Sequence, residues 1–259
     1  MTQIIGRSPT VAGGSRSFSV VLFDLDDTLF AHQRAVGLGV AAHRHAHGGL
    51  LAAADDTAEL ARWHALEERH YHRYLVGELD FLGQRRARVR DFVAPYDLDL
   101  ASDRAADQWY ASYYVEYEQS WSLHDDAIPC LDGLRADAPS IRFGVITNSE
   151  LGFQSAKIDR VGLGSYIEHT IASGELGFAK PDARIFEHAC AVFDVAVSDA
   201  VYVGDRLRTD AIGSSAAGLT GVWLDRGSTA SADDFALARA CGVRVISTLA
   251  DLPGLLTGR

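Results

Sequence analysis

Two aspartates two residues apart, Asp24 and Asp26, close a short apolar run, and Thr28 follows. Carboxylates at this spacing can divide two tasks: one attacks an electrophile, the other moves protons. Thr147 and Asn148 close a second apolar run, Lys180 precedes a proline, and Asp205 closes a third run with Asp210 five residues on. Carboxylates gathered in such number suit a hard cation, and Mg²⁺ takes oxygen ligands while keeping several waters. An ion of this kind would relieve repulsion among Asp24, Asp26 and Asp205 and polarise a phosphoryl oxygen. Phosphoryl transfer is mainly positioning and charge stabilisation, so a metal, a lysine and a hydroxyl are the parts it needs.

These residues can act together only if the fold brings them together. Residues 19–25 (SVVLFDL) read as a buried strand running into a loop. Residues 142–147, 167–172, 200–203, 221–224 and 243–246 read as further strands. Helices are expected from about 152, from Pro181, from about 207 and after the last strand. Repeated strand–helix units predict a Rossmann-like, doubly wound parallel sheet, an α/β core with helices on both faces. Between the first two strands, residues 31–118 are rich in Ala, Arg, Glu, His and Tyr, and predict an inserted all-helical cap broken near Gly48-Gly49, Gly77 and Pro95. The expected division is a flexible tail over 1–17, a core over 18–30 and 119–259, and a cap over 31–118. Open parallel sheets bind ligands outside the carboxyl ends of their strands, where the acidic residues, Thr147 and Lys180 all fall.

FDLDDTL at 23–29, ITNS at 146–149, KPD at 180–182 and VGDRLRTD at 203–210 occur in this order, each near a strand end. Together they resemble the four motifs of the haloacid dehalogenase superfamily, over roughly residues 18–257. The resemblance implies a small-molecule phosphatase of the capped branch, with an aspartyl-phosphate intermediate. Asp24 would be nucleophile and Mg²⁺ ligand, and Asp26 the general acid/base whose carbonyl also ligates the metal. Thr147, with Asn148 behind it, would hold the phosphoryl group. Lys180 would neutralise charge, Asp205 would bind the metal and Asp210 would support its shell. Pro181 reads as a first helical residue, which would set the Lys180 ammonium beside a helix N-terminus.

Three rival readings fit less well. Dehalogenases of similar fold do not carry an acid two residues past the nucleophile, as Asp26 is here. A phospho-accepting signalling domain has its phosphorylated aspartate in mid-sequence and no use for a large cap. Silent binding scaffolds have usually lost a motif aspartate, and none is missing.

Within the cap, Leu82, Val89 and Val93 define a buried stripe that includes Arg86. An arginine on such a face is either paired or functional, so Arg86 is a candidate substrate contact, with a cap-internal salt bridge as the alternative. Its neighbours Arg85, Arg88 and Arg90 read as a solvated face. His43 and His47 share a helical face but lack partners for a metal site, and read as solvated. Tyr110, Tyr113, Tyr114 and Tyr117 read as cap core.

The net charge of −11 argues against nucleic acid and anionic membranes as partners. No apolar run approaches the roughly 18 residues needed to cross a bilayer. Three scattered cysteines form neither a disulfide framework nor a metal site and predict reduced thiols in a cytoplasm. A monomer or homodimer acting on a small phosphorylated metabolite is the expectation.

Overall fold

The first strand, β1 (Val20–Phe23), is buried along its whole length in the computed structural model, which describes residues 18–96 and 98–257. The expected tail, residues 1–17, lies outside the described residues. Val21 and Phe23 enter one apolar layer with Val145 and Val203, while Val20 and Leu22 enter a second with Ile146 and Phe186. A strand covered on both faces needs apolar residues at every position, which is why it reads as a continuous run. β2 (Arg142–Thr147), β3 (Ile167–Ala172), β4 (Ala200–Gly204), β5 (Thr220–Leu224) and β6 (Arg244–Ile246) complete one parallel sheet in the order β3-β2-β1-β4-β5-β6.

Between β1 and β2 the chain builds an inserted helical cap from α1 (His32–His47), α2 (Gly49–Ala53), α3 (Asp56–Leu75), α4 (Phe81–Val93) and α5 (Asp103–Gln119). Asp55, Asp80 and Ser102 start the three longest of the later helices, accepting from the N–H groups of Ala58, Gly83 and Ala105. Trp63 on α3 packs with Phe92 on α4 and Tyr113 on α5, at ring separations of 4.9 and 4.6 Å. α1 and α5 approach so closely that a Cβ on Gly39 would lie 2.7 Å from Tyr117 Cα.

The chain then returns through α6 (Ala127–Asp137), and the later helices are α7 (Leu151–Arg160), α8 (Ser173–Leu176), α9 (Ala183–Val192), α10 (Gly213–Ala216), α11 (Ala232–Ala240) and α12 (Leu252–Thr257). One helix start and one helix type differ from expectation. Pro181 is not in a helix: it follows a cis bond from Lys180, and Asp182 caps α9 by accepting from the Arg184 N–H at 3.0 Å. Lys180 is therefore presented by a loop. The segment after β4 opens as a π-helical turn, Leu207–Ile212, before α10. Among the described residues no helix is long and apolar enough to cross a membrane.

Candidate active site

Asp24 is the first residue beyond β1, and its N–H continues the sheet by donating to Val203 O at 2.8 Å. A tight turn follows, in which the N–H groups of Leu29 and Phe30 both donate to Leu25 O, and Asp27 takes a left-handed conformation at φ 63°. Asp24 and Asp26 both line a cleft of about 420 Å³ between the strand ends and the cap, a volume suited to a small molecule.

Lys180 organises the cleft floor. Its Nζ lies 2.6 Å from Asp24 Oδ1, 2.7 Å from Asp210 Oδ1 and 2.8 Å from Tyr202 Oη, so each ammonium proton has a partner. Burial opposes its charge, but Asp210 and Asp24 outweigh it and hold the ammonium well above its usual pKa. Asn148 fixes the lysine's backbone: its Nδ2 donates to Lys180 O at 2.8 Å and its Oδ1 accepts from Lys180 N at 2.7 Å. Both ends of the Asn148 amide are thus engaged in holding the lysine.

Oxygens of Asp24, Asp205 and Asp210 lie within 4.8 Å of one another. Burial, then Asp210 and Asp26, push the Asp24 carboxyl up to about 7 against the pull of Lys180. Burial, Asp24 and Asp210 likewise push Asp205 well above the carboxylate range. Asp210 is held on both oxygens, by Lys180 and Tyr202 on one and by Arg206 N–H on the other. Among the described residues, no hydrogen-bond donor reaches the Asp205 carboxylate, although Trp223 Nε1 anchors its backbone carbonyl at 2.9 Å. Ionised together, the three carboxylates would set three negative charges against one ammonium, a repulsion that shows in the raised Asp24 and Asp205. The donor set therefore fits a divalent, oxygen-seeking cation. Gly204 makes room for this arrangement, since a Cβ there would meet Asp210 Cβ at 2.5 Å.

Asp26 points to other partners. Lys157 Nζ donates to its Oδ1 at 2.6 Å and Gln154 Nε2 to its Oδ2 at 2.9 Å. Burial would raise its pKa, but Lys157 and His32 outweigh burial and hold it below the usual value. The same Gln154 amide donates to Thr147 Oγ1 at 3.1 Å, tying the expected phosphoryl-binding hydroxyl to the expected acid/base. His32 stands 3.8 Å from Asp26 and 3.6 Å from Glu67, and its ring meets Tyr117 Oη at 3.0 Å.

The cap is latched over these groups by α3. Tyr71 Oη donates to Asn148 O, Tyr74 Oη to Glu150 Oε1 at 3.0 Å, and Arg206 pairs with Glu68 at 2.5 Å.

Of the residues singled out by sequence, Asp24, Asp26, Thr147, Asn148, Lys180, Asp205 and Asp210 line this one cleft, and Arg86 does not. Arg86 holds Asp107 at 2.7 Å and Asp103 at 2.8 Å on the outside of the cap, the salt-bridge alternative. Of the expected stripe, Val89 and Val93 are buried but Leu82 is exposed, and Gln84, Arg88 and Phe92 complete the buried face in place of the expected Arg86. Arg85 and Arg88, read as solvated, line the cleft instead. His43 is likewise buried, against Trp109 at 4.5 Å, rather than solvated. Tyr113 and Tyr117 are cap core, and with Tyr110 they also wall the cleft. Sequence reasoning passed over Lys157, Gln154 and Tyr202. The available signal was a lysine and a glutamine on the face of α7 that also carries Ile158.

A parallel sheet with a helical insertion after its first strand, and a strand-end cluster of carboxylates around one lysine, define a capped α/β protein with an acidic strand-end site. Comparison with known proteins makes the class specific. The profile described as haloacid dehalogenase-like hydrolase matches residues 18–218, and the chain belongs to that family. A ribulose-1,5-bisphosphate 5-phosphatase of Halopiger xanaduensis is 30% identical over 92% of this chain and 99% of its own. A glyceraldehyde 3-phosphate phosphatase of Pyrococcus furiosus is 26% identical over 84% of this chain and 85% of its own. The crystal structure of the HAD-hydrolase YfnB from Bacillus subtilis bound to magnesium superposes with a TM-score of 0.75 at 19% identity, over 93% and 99% of the two chains.

Proposed function

We propose that this hydrolase cleaves small-molecule phosphate monoesters with Mg²⁺ through a phosphoryl group carried on Asp24. The observation that carries this reading is the buried cluster of Asp24, Asp205 and Asp210 around a single ammonium. It is too acidic to admit a phosphate dianion unless a cation joins it. The names borne by the relatives, phosphatases of small phosphorylated metabolites, support the same chemistry.

Asp24 and Asp205, with the Asp26 carbonyl, would hold Mg²⁺, which supplies charge neutralisation and polarisation of a phosphoryl oxygen. Asp24 attacks phosphorus, while Lys180 balances charge on the nucleophile and the phosphoryl oxygens. Thr147 Oγ1 supplies a hydroxyl donor. Asp26, which Lys157 and Gln154 hold in its ionised form as seen here, must take up a proton before this step and then gives it to the departing alkoxide oxygen. Ionised again, it takes a proton from the water that attacks phosphorus and frees the Asp24 carboxylate. The cap shields these steps from bulk water. The core over 18–30 and 119–259 thus carries the chemistry, and the cap over 31–118 carries the leaving-group side.

Hydrolysis of nitrophenyl phosphate with Mg²⁺, lost on adding EDTA and regained with Mg²⁺, is the expected result. Undiminished turnover in excess EDTA would contradict the metal assignment.

A further inference from the structure

Seven Lys, Arg and His side chains line the cleft, and six of them face carboxylates. Lys180 is held by Asp24 and Asp210, Lys157 by Asp26, Arg206 by Glu68, and Arg88, His32 and His64 by Glu67. Arg85 is the exception: among the described residues it has no carboxylate and no hydrogen-bond acceptor. Its guanidinium carbon lies instead 4.1 Å from the ring centre of Phe81, 4.7 Å from Tyr110 and 5.1 Å from Phe153.

This setting is specific. Ring contacts engage the cation's charge and planar faces, and leave its five N–H donors without acceptors. Three rings also fix the side chain in advance, so that little freedom is lost when an anion docks, and they lower the local dielectric. Phe81 and Arg85 belong to α4 and Tyr110 to α5, while Phe153 belongs to the core helix α7. Arg85 therefore sits at the seam between cap and core, on a cap helix and not at the strand ends whose groups would take the phosphoryl end. On the phosphatase reading the leaving-group portion of the substrate faces the cap, and Arg85 with it.

We propose that Arg85 is a specificity-determining residue that binds a second anionic group, a carboxylate or a phosphate, on the leaving-group portion of the phosphate monoester. The proposal rests on the phosphatase reading above. A planar guanidinium grips either anion through two parallel hydrogen bonds, which a lysine could not reproduce.

Three probes share a glyceryl phosphate and differ at the far carbon: glycerol 3-phosphate, 3-phosphoglycerate and glycerol 1,3-bisphosphate. Wild-type enzyme should favour at least one doubly anionic probe over glycerol 3-phosphate in kcat/KM, and the favoured one identifies the anion. Arg85→Met should reduce that preference about 10- to 100-fold, mostly through KM. Arg86→Met removes the same charge from the neighbouring position and should leave the preference intact. Arg85→Lys, which keeps the charge but not the fork, should fall between, and serves if melting curves show that Arg85→Met does not fold. Equal loss on all three probes, or a wild-type enzyme without preference for a second anion, overturns the assignment. If the wild type with Mg²⁺ hydrolyses neither these probes nor nitrophenyl phosphate, the phosphatase reading fails and takes this one with it.

Discussion

Replacing Lys157 by methionine keeps the length of the side chain and removes its charge from beneath Asp26. Lys157 is fully buried, its Nζ lies 2.6 Å from Asp26 Oδ1, and the ring centres of Phe30 and Phe153 each lie 4.7 Å away. Breaking a buried ion pair from one side costs about 3–5 kcal/mol. Asp26 keeps Gln154 at 2.9 Å and its side chain is 31% exposed, so water recovers part of the loss. The expected destabilisation at neutral pH is about 2–3 kcal/mol. In a chain of this size that lowers Tm by about 4–12 °C. An Asp26 held on one side only should also be misdirected, slowing alkyl phosphate turnover up to about 10²-fold and nitrophenyl phosphate turnover less. Thermal melts of a double-mutant cycle with Asp26→Asn isolate the pair. In that background Lys157→Met should be neutral or stabilising, because the lysine has already lost its counter-charge. An unchanged Tm, or an equal loss in both backgrounds, refutes the reasoning.

Acid sensitivity should trace in part to His43. Burial against Trp109, with His47 adding to it, lowers its pKa from 6.5 to about 4. The unfolded chain then binds more protons between those values, so stability is lost as pH drops through that window, by about 3 kcal/mol in full. His43→Leu should flatten this part of a Tm-versus-pH curve, and an unaltered slope would contradict it. Asp126 works in the same sense at lower pH: against burial, Arg226, Thr248 and the Leu249 N–H lower its pKa to about 2, giving stability that is present above 3.8 and lost as pH falls through about 2. Asp126→Asn should lower stability at neutral pH by about 2 kcal/mol and loosen Arg226, which also donates to Thr28 O at 2.8 Å in the nucleophile turn. Melts at pH 7 in which the variant matches wild type would show that the pair contributes nothing.

The strands and the strand-end residues were legible because both rest on local patterns. Val20–Phe23 is apolar at every position because both its faces are covered, and Asp24 to Thr28 stands where such a strand must stop. β2 and β3 begin and end where the sequence places them, and the breaks at Gly48, Gly49 and Gly77 fall at positive φ. Partners chosen in three dimensions were not legible. Arg85 and Arg86 are adjacent in sequence, yet one faces the cleft among aromatic rings and the other faces Asp103 and Asp107 on α5. Only the packing of α4 between α3 and α5 decides which is which. Lys157 escaped notice for a similar reason: its counter-charge, Asp26, is 131 residues away. Pro181 was misread because Asp182, one residue on, offers the better cap.

Everything proposed for the mechanism turns on a phosphoryl group residing on Asp24. Asp26→Asn removes the base that should activate water, while nitrophenolate leaves with little need of an acid. Mixed with nitrophenyl phosphate and Mg²⁺ and then quenched in acid, this variant should release a burst of nitrophenolate. Peptide mass spectrometry should then find one phosphoryl group on Asp24, and the same experiment on Asp24→Asn should give neither burst nor adduct. An Asp26→Asn enzyme that carries no adduct on Asp24, or that hydrolyses an alkyl phosphate as fast as wild type, would contradict the assignment of both aspartates.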